Sequence, residues 1–108
     1  MDVYRVKMLS VVCSDLDEIH RYISEDKANW RAADNIVDAI MELVCSLEHA
    51  TVRGNVVAAD SNTGLSVRCV TIKNFAVLFE VSVSKKQVVV IAVTYARRNI
   101  ASLLRGRL

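Results

Sequence analysis

Residues 67–95, VRCVTIKNFAVLFEVSVSKKQVVVIAVTY, decide the fold. Val67 to Ile72, Phe75 to Val83 and Val88 to Tyr95 are rich in β-branched and aromatic side chains, which suit a pleated, half-buried surface. Lys73-Asn74 and Ser84-Lys85-Lys86 separate the three runs. Breaks this short predict that neighbouring strands pair antiparallel, as a meander. Val88 to Val93 is apolar on both faces, the pattern of a central strand.

Working outward, residues 49–65 lack periodicity and carry Gly54, Asp60, Ser61, Asn62 and Gly64, so they read as a long loop. Before it, Trp30, Ala33, Ile36, Val37, Ile40, Leu43, Val44 and Leu47 form one apolar stripe. They predict a helix over 28–48, roughly 30 Å long. Trp30 is expected as a packing anchor, and Asp34, Asp38 and Glu42 make the outer face acidic. Val12, Leu16, Ile19 and Ile23 predict an earlier helix over 11–25, with Ser10 as its N-cap and His20 on its rim. Asp15, Asp17 and Glu18 are placed in its early turns, where carboxylates suit the helix dipole. The short break Glu25-Asp26-Lys27 makes the two helices an antiparallel hairpin. Tyr4, Val6 and Met8 alternate with Arg5 and Lys7, giving a strand over 2–9. Past the meander, Ile100, Leu103 and Leu104 line one face of a short helix starting at Arg97. The expected order is β-α-α-β-β-β-(α). This is an α+β fold with a helical hairpin packed on one face of a mainly antiparallel four-stranded sheet.

Composition narrows the function classes. A chain of 108 residues is expected to be a single domain spanning 1–108. With 53% hydrophobic and 24% charged residues, it can bury enough surface to fold. Its longest uncharged run, Gln87 to Ala96, is about half the ~20 residues of a membrane-spanning helix. Asp2 and Arg5 flank no apolar signal segment. Cys13, Cys45 and Cys69 form no CxxC and no metal-ligand cluster with His20 or His49. They read as small hydrophobes in or beside apolar runs of a reduced, cytoplasmic protein, and no metal or cofactor is expected. The net charge of +2 hides an asymmetry. Residues 1–48 hold five bases and ten acids, a net −5, and residues 49–108 hold nine bases and two acids, a net +7. No acid follows Glu80. A basic half of this kind suits an acidic partner or a polyanion.

Four stretches resemble one family. Asp15-Leu16-Asp17-Glu18-Ile19-His20-Arg21-Tyr22-Ile23 is similar to a "DLxEIxxYI" helix, and Ser46-Leu47-Glu48 with Arg53-Gly54-Asn55 to an "SLxxxPxRG" helix exit. Val70 to Val81 is similar to "LxVxNYxVFYxV", and Val93-Thr94-Tyr95-Ala96-Arg97-Arg98-Asn99-Ile100 to "VxYxRRDI". In order and spacing these resemble the RelE/ParE superfamily, the toxins of bacterial type II toxin–antitoxin modules, and ParE-like members most. The family's loop proline is missing, because the chain has no proline at all.

The resemblance implies two alternatives. RelE-like members cut mRNA on the ribosome with a cluster of cations and an acid–base residue. Carried over, their hairpin arginine falls at Ala76, their strand lysines near Arg68 and Val70, their post-strand arginine at Arg97 and their C-terminal tyrosine near Leu103. Only Arg68 and Arg97 are cationic, and Tyr95 is the nearest tyrosine. ParE-like members lack that set and poison DNA gyrase by binding it. The resemblance therefore implies a non-catalytic gyrase inhibitor, neutralised by a cognate acidic antitoxin and acting in plasmid stabilization. Arg53, Arg68, Arg97, Arg98 and Arg105 are its candidate target- or antitoxin-binding residues. The alternatives are a ribosome-dependent mRNA endonuclease using Arg68, Arg97 and Tyr95, or a non-toxic relic that only binds antitoxin. A cross-strand pair with Glu80 is the structural role open to Arg68, and core packing is the one expected of Tyr95.

Overall fold

A computed structural model describes residues 3–26, 29–49, 54–60 and 65–97. Strand β1 (Arg5–Met8) leads into helix α1 (Ser10–Arg21), which widens into a π-helical turn over Tyr22–Asp26. Helix α2 (Trp30–Ser46) returns antiparallel, and β2 (Asn55–Asp60), β3 (Leu65–Ile72), β4 (Phe75–Ser82) and β5 (Gln87–Tyr95) follow. The strands form one sheet in the order β1-β5-β4-β3-β2. The pairs β2–β3, β3–β4 and β4–β5 are antiparallel, and β1 runs parallel to β5. The α+β architecture with a helical hairpin on one face is as expected, with one more strand. That strand, β2, lies inside the stretch that reads as a loop. The short helix expected after Arg97 falls outside the described residues.

Strand alternation places the core. On one face, Phe75, Val77, Phe79 and Val81 of β4 and Val88, Val90 and Val93 of β5 meet Val12, Leu16 and Ile19 of α1 and Ala33, Ile40, Leu43 and Val44 of α2. A bulge opposite Leu78/Phe79 adds one residue to β5, so Val90 and Val93, three apart, face the same way. The same bulge turns both Ile91 and Ala92 to the other face, where they join Val67, Ala76 and Leu78 in a second buried cluster. This is why the Val88–Val93 run is apolar throughout.

Several local expectations change. Ser10 is the first helical residue and not the cap; Leu9 is the N-cap and makes no side-chain capping bond. The first turn of α1 accordingly holds no acid. Asp15 instead reaches across to the sheet, where its Oδ2 accepts a hydrogen bond from the Val93 backbone N–H at 3.0 Å. Strand β1 ends at Met8, level with Val90, so the upper half of β5 has no strand on that side and the carboxylate of α1 takes the place of one. Asn29 caps α2 by accepting from Ala32 N–H at 3.0 Å. Trp30 is not an anchor: it is 61% exposed, with the Arg31 guanidinium 5.3 Å over its ring. Cys13 and Cys45 are exposed and only Cys69 is half-buried, so two of the three thiols are not core residues.

Candidate functional site

Of the site residues predicted from sequence, the structure brings Tyr95 and Arg97 to one groove and leaves Arg68 apart from them. Arg53, Arg98 and Arg105 lie outside the described residues. Arg68 stands opposite Phe79, and Glu80 opposite Val67. Arg68 and Glu80 therefore point to opposite faces, and the expected cross-strand pair is absent. Arg68 lies on the helix-facing side, level with core residue Phe79, and its Nε is buried with no hydrogen-bond partner in the structure. A buried donor left open is uncommon in native proteins.

Tyr95 and Arg97 belong to the far end of the same face. Tyr95 pairs with Phe75, which is level with Ile72 of β3, four residues beyond Arg68. Four strand residues span roughly 13 Å, so the backbone holds Arg68 well away from Tyr95 along this face. Ala76, where the resemblance would place a ribonuclease arginine, is fully buried on the opposite face, beside Leu78 and Ala92. Among the described residues no group of three or more His, Cys, Asp or Glu is placed to hold a metal ion, and no helix is long and apolar enough to cross a membrane.

The end of the sheet holds a groove of about 820 Å³. Its walls are the π-helical turn, the first turns of α2, the β3–β4 turn and the exit of β5. The widened π turn sets Tyr22 against Tyr95, ring edge to face at 6.0 Å, and Tyr95 leans on Phe75 at 4.9 Å. Tyr95 is thus not a core residue: it is 40% exposed, and Tyr22 is 43% exposed. Lys73 adopts a left-handed backbone (φ 55°) in the β3–β4 turn. The Ala96 N–H donates to the Asn74 carbonyl at 3.0 Å, which ties the exit of β5 to that turn. The exposed side chains of Lys73 and Arg97 flank the groove, and no acid lines it among the described residues. The acids sit on the hairpin: Asp34, Asp38 and Glu42 lie along α2, and His20 Nε2 meets Asp34 Oδ1 at 2.7 Å between the helices.

Sequence reasoning finds Arg97 and Tyr95 but misses Tyr22 and Lys73. Both sit inside quoted motifs, Tyr22 in the first helix and Lys73 in the turn before Phe75. The missing signal is spatial: only the π turn and the β3–β4 hairpin bring them to one place.

The residues of the described fold also match known proteins. Residues 11–100 match the family described as the ParE toxin of type II toxin-antitoxin system, parDE. The chromosomal ParDE toxin–antitoxin structure from P. aeruginosa is 21% identical, with a TM-score of 0.64 over 86% of this chain and 96% of that one. The archaeal RelE–RelB complex from Pyrococcus horikoshii OT3 is 19% identical, with a TM-score of 0.62 over 89% of this chain and 98% of that one. The toxin–antitoxin complex RelBE2 from Mycobacterium tuberculosis is 15% identical, with a TM-score of 0.59 over 86% and 98%. At these identities the likeness is one of fold. A search of curated proteins finds no match. The family match spans most of the chain, through both helices and all of the sheet except β1: this protein belongs to the ParE toxin family of type II toxin–antitoxin systems.

Proposed function

We propose that this toxin-family protein inhibits DNA gyrase by binding it, in the cytoplasm, and is neutralised by a cognate antitoxin. The observation that carries the non-catalytic part is the face around Ala76. Cutting RNA needs cations on the in-flight phosphate and an acid–base group beside it, and loss of one such group typically lowers rate ~10²–10⁴-fold. Here that position is a fully buried alanine among Val67, Leu78, Ile91 and Ala92. The two cations of the ribonuclease pattern, Arg68 and Arg97, lie apart along the opposite face and at its end. A binding inhibitor needs only surface, and the groove end supplies two partly exposed aromatic rings, Tyr22 and Tyr95, with Lys73 and Arg97. Trp, Tyr and Arg are the side chains that dominate protein–protein binding energy.

An antitoxin partner is supported by the family match and by similar folds solved as toxin–antitoxin complexes. The net +7 of residues 49–108 suits an acidic wrapping chain. Inducible expression of the chain without its antitoxin tests the reading. The expected result is growth arrest with a DNA damage response and intact mRNA. Cleavage of mRNA at ribosomal A-site codons would establish the endonuclease alternative instead, and normal growth would mean that only antitoxin binding is retained.

A further inference from the structure

We infer that the pocket at the start of β5 is a phosphate site for the backbone of duplex DNA, gripped by Arg5, Lys85 and Lys86 with Lys7 beside them. The inference goes beyond the gyrase reading and does not depend on it. The pocket lies at the other end of β5 from the groove of Tyr22 and Tyr95, and the strand between them spans roughly 26 Å.

Three segments meet there, β1, the exit of α2 and the β4–β5 turn, around a volume of about 830 Å³. Tyr4, Val6 and Met8 pack into the helix-side core, so strand alternation turns Arg5 and Lys7 to the opposite face, ~6.6 Å apart along the strand. Register sets Arg5 beside Gln87, and Lys85 and Lys86 immediately precede Gln87 in the turn. All four cations are exposed. Backbone bonds hold the three segments together. The Arg5 N–H donates to the Lys86 carbonyl at 2.9 Å, and the Tyr4 N–H to the Glu48 carbonyl at 2.9 Å. The Lys85 N–H donates to Ser82 Oγ at 3.3 Å, and Lys86 ends the turn with a left-handed φ of 49°. The cations are therefore gathered before a ligand arrives, which lowers the cost of binding one. Arg5 and Lys85 make no ion pair among the described residues. Glu48 is the one acid among the described lining residues, and its Oε1 lies 3.1 Å from His49 Nε2. Three cations against that acid leave the pocket positive.

The composition selects the ligand. Lysine is depleted from protein–protein interfaces, whose energy comes from aromatic and arginine anchors. Here three of the four cations are lysines, and the aromatic ring of the pocket, Tyr4, is only 6% exposed. Phosphates suit this set, because lysine meets them as a point charge and arginine through its fork. A single strand needs exposed rings on which its bases stack, and the described lining offers none. A free polyphosphate fits cations that converge on one point, whereas Lys7 carries the charge along β1 beyond the pocket. A row of cations on an open surface fits the outward phosphates of a duplex.

The experiment measures fluorescence anisotropy of a labelled DNA duplex of about 20 base pairs, enough for several backbone contacts, with the full chain and two triple variants. R5Q/K7Q/K85Q removes three cations at the pocket, and R21Q/K27Q/R31Q removes three from the hairpin. Circular dichroism and urea midpoints matching wild type establish that both variants are folded. Wild type is expected to bind with a dissociation constant of ~1–100 μM at physiological salt, the range of backbone contacts without base readout. Three to four neutralised phosphates give a log–log salt slope near −3, so affinity falls at least ~40-fold between 50 and 200 mM salt. R5Q/K7Q/K85Q should bind at least ~10-fold more weakly at 50 mM salt, with a slope shallower by about 2–3, and R21Q/K27Q/R31Q should keep the wild-type slope. An equal loss in both variants would mean that net charge, not a site, draws the DNA, and would overturn the inference. Absence of duplex binding at 50 mM salt would overturn it too, and would leave the gyrase reading to be decided by supercoiling. Tighter binding of an oligouridine than of the duplex, or displacement of the duplex by tripolyphosphate at equal phosphate concentration, would assign the pocket to a single strand or to a free polyphosphate instead.

Discussion

Replacing Asp15 with alanine tests how the helical hairpin is fastened to the sheet. Its carboxylate is the acceptor for the Val93 N–H, 78 residues away in sequence and 3.0 Å in space. Val93 is 3% exposed, so water cannot readily replace the lost acceptor. A buried donor left unsatisfied costs about 1–3 kcal/mol, and a charged acceptor sets this case near the middle, about 2. Alanine favours the helix over aspartate by about 0.5 kcal/mol, which offsets part of that. The net expectation is about 1.5 kcal/mol. Unfolding entropy of about 2.1 cal/mol/K per residue, over 108 residues, converts it to a Tm about 6–7 °C lower. Thermal and urea unfolding measure it, with the exposed neighbour Asp17→Ala as control. Asp15→Asn, which keeps an acceptor oxygen, should lose less than Asp15→Ala. If Asp15→Ala and Asp17→Ala agree within about 0.5 kcal/mol, the carboxylate does not stand in for the missing strand.

Further outcomes follow from single features. Gly54 has φ 82°, and a Cβ there would meet the Cys69 carbonyl oxygen at 2.7 Å and Val70 Cγ2 at 2.7 Å. Gly54→Ala should therefore destabilise by about 2 kcal/mol and speed amide exchange in β2 and β3 before the rest of the sheet. Phe79, fully buried under the hairpin, should cost about 3–5 kcal/mol as alanine in urea unfolding. The His20–Asp34 pair is solvent-facing, so its coupling in a double-mutant cycle should be below about 1 kcal/mol despite the 2.7 Å contact. Burial pushes the Cys69 thiol above its ordinary range. A raised pKa means less thiolate at a given pH, so thiol labelling near neutral pH should show two fast groups, Cys13 and Cys45, and one slow group whose rate continues to rise at higher pH.

What the chain discloses locally and what it hides have physical reasons. The three meander strands are legible because β-branched runs and two short polar breaks are local signals, and the bulge in β5 only strengthens its apolar reading. Strand β2 is not legible. Asn55-Val56-Val57-Ala58-Ala59-Asp60 mixes small, apolar and polar residues, and a bulge between Val56 and Ala58 breaks its alternation. The π turn is hidden because Ile19 and Ile23 keep helical spacing across its start. Trp30 sits on the apolar stripe by spacing, yet it occupies the first helical position, where the hairpin no longer covers that face. Of the candidate site, Tyr95 and Arg97 can be named from the chain alone. Their separation from Arg68 depends on strand register, and their company with Tyr22 and Lys73 depends on tertiary packing, which no local pattern carries.

The binding claim is tested most directly by titrating the purified chain into a supercoiling reaction with purified gyrase and relaxed plasmid. Binding inhibition predicts that supercoiling falls as the chain is added and that its antitoxin restores it. Normal supercoiling in the presence of excess folded chain would contradict it.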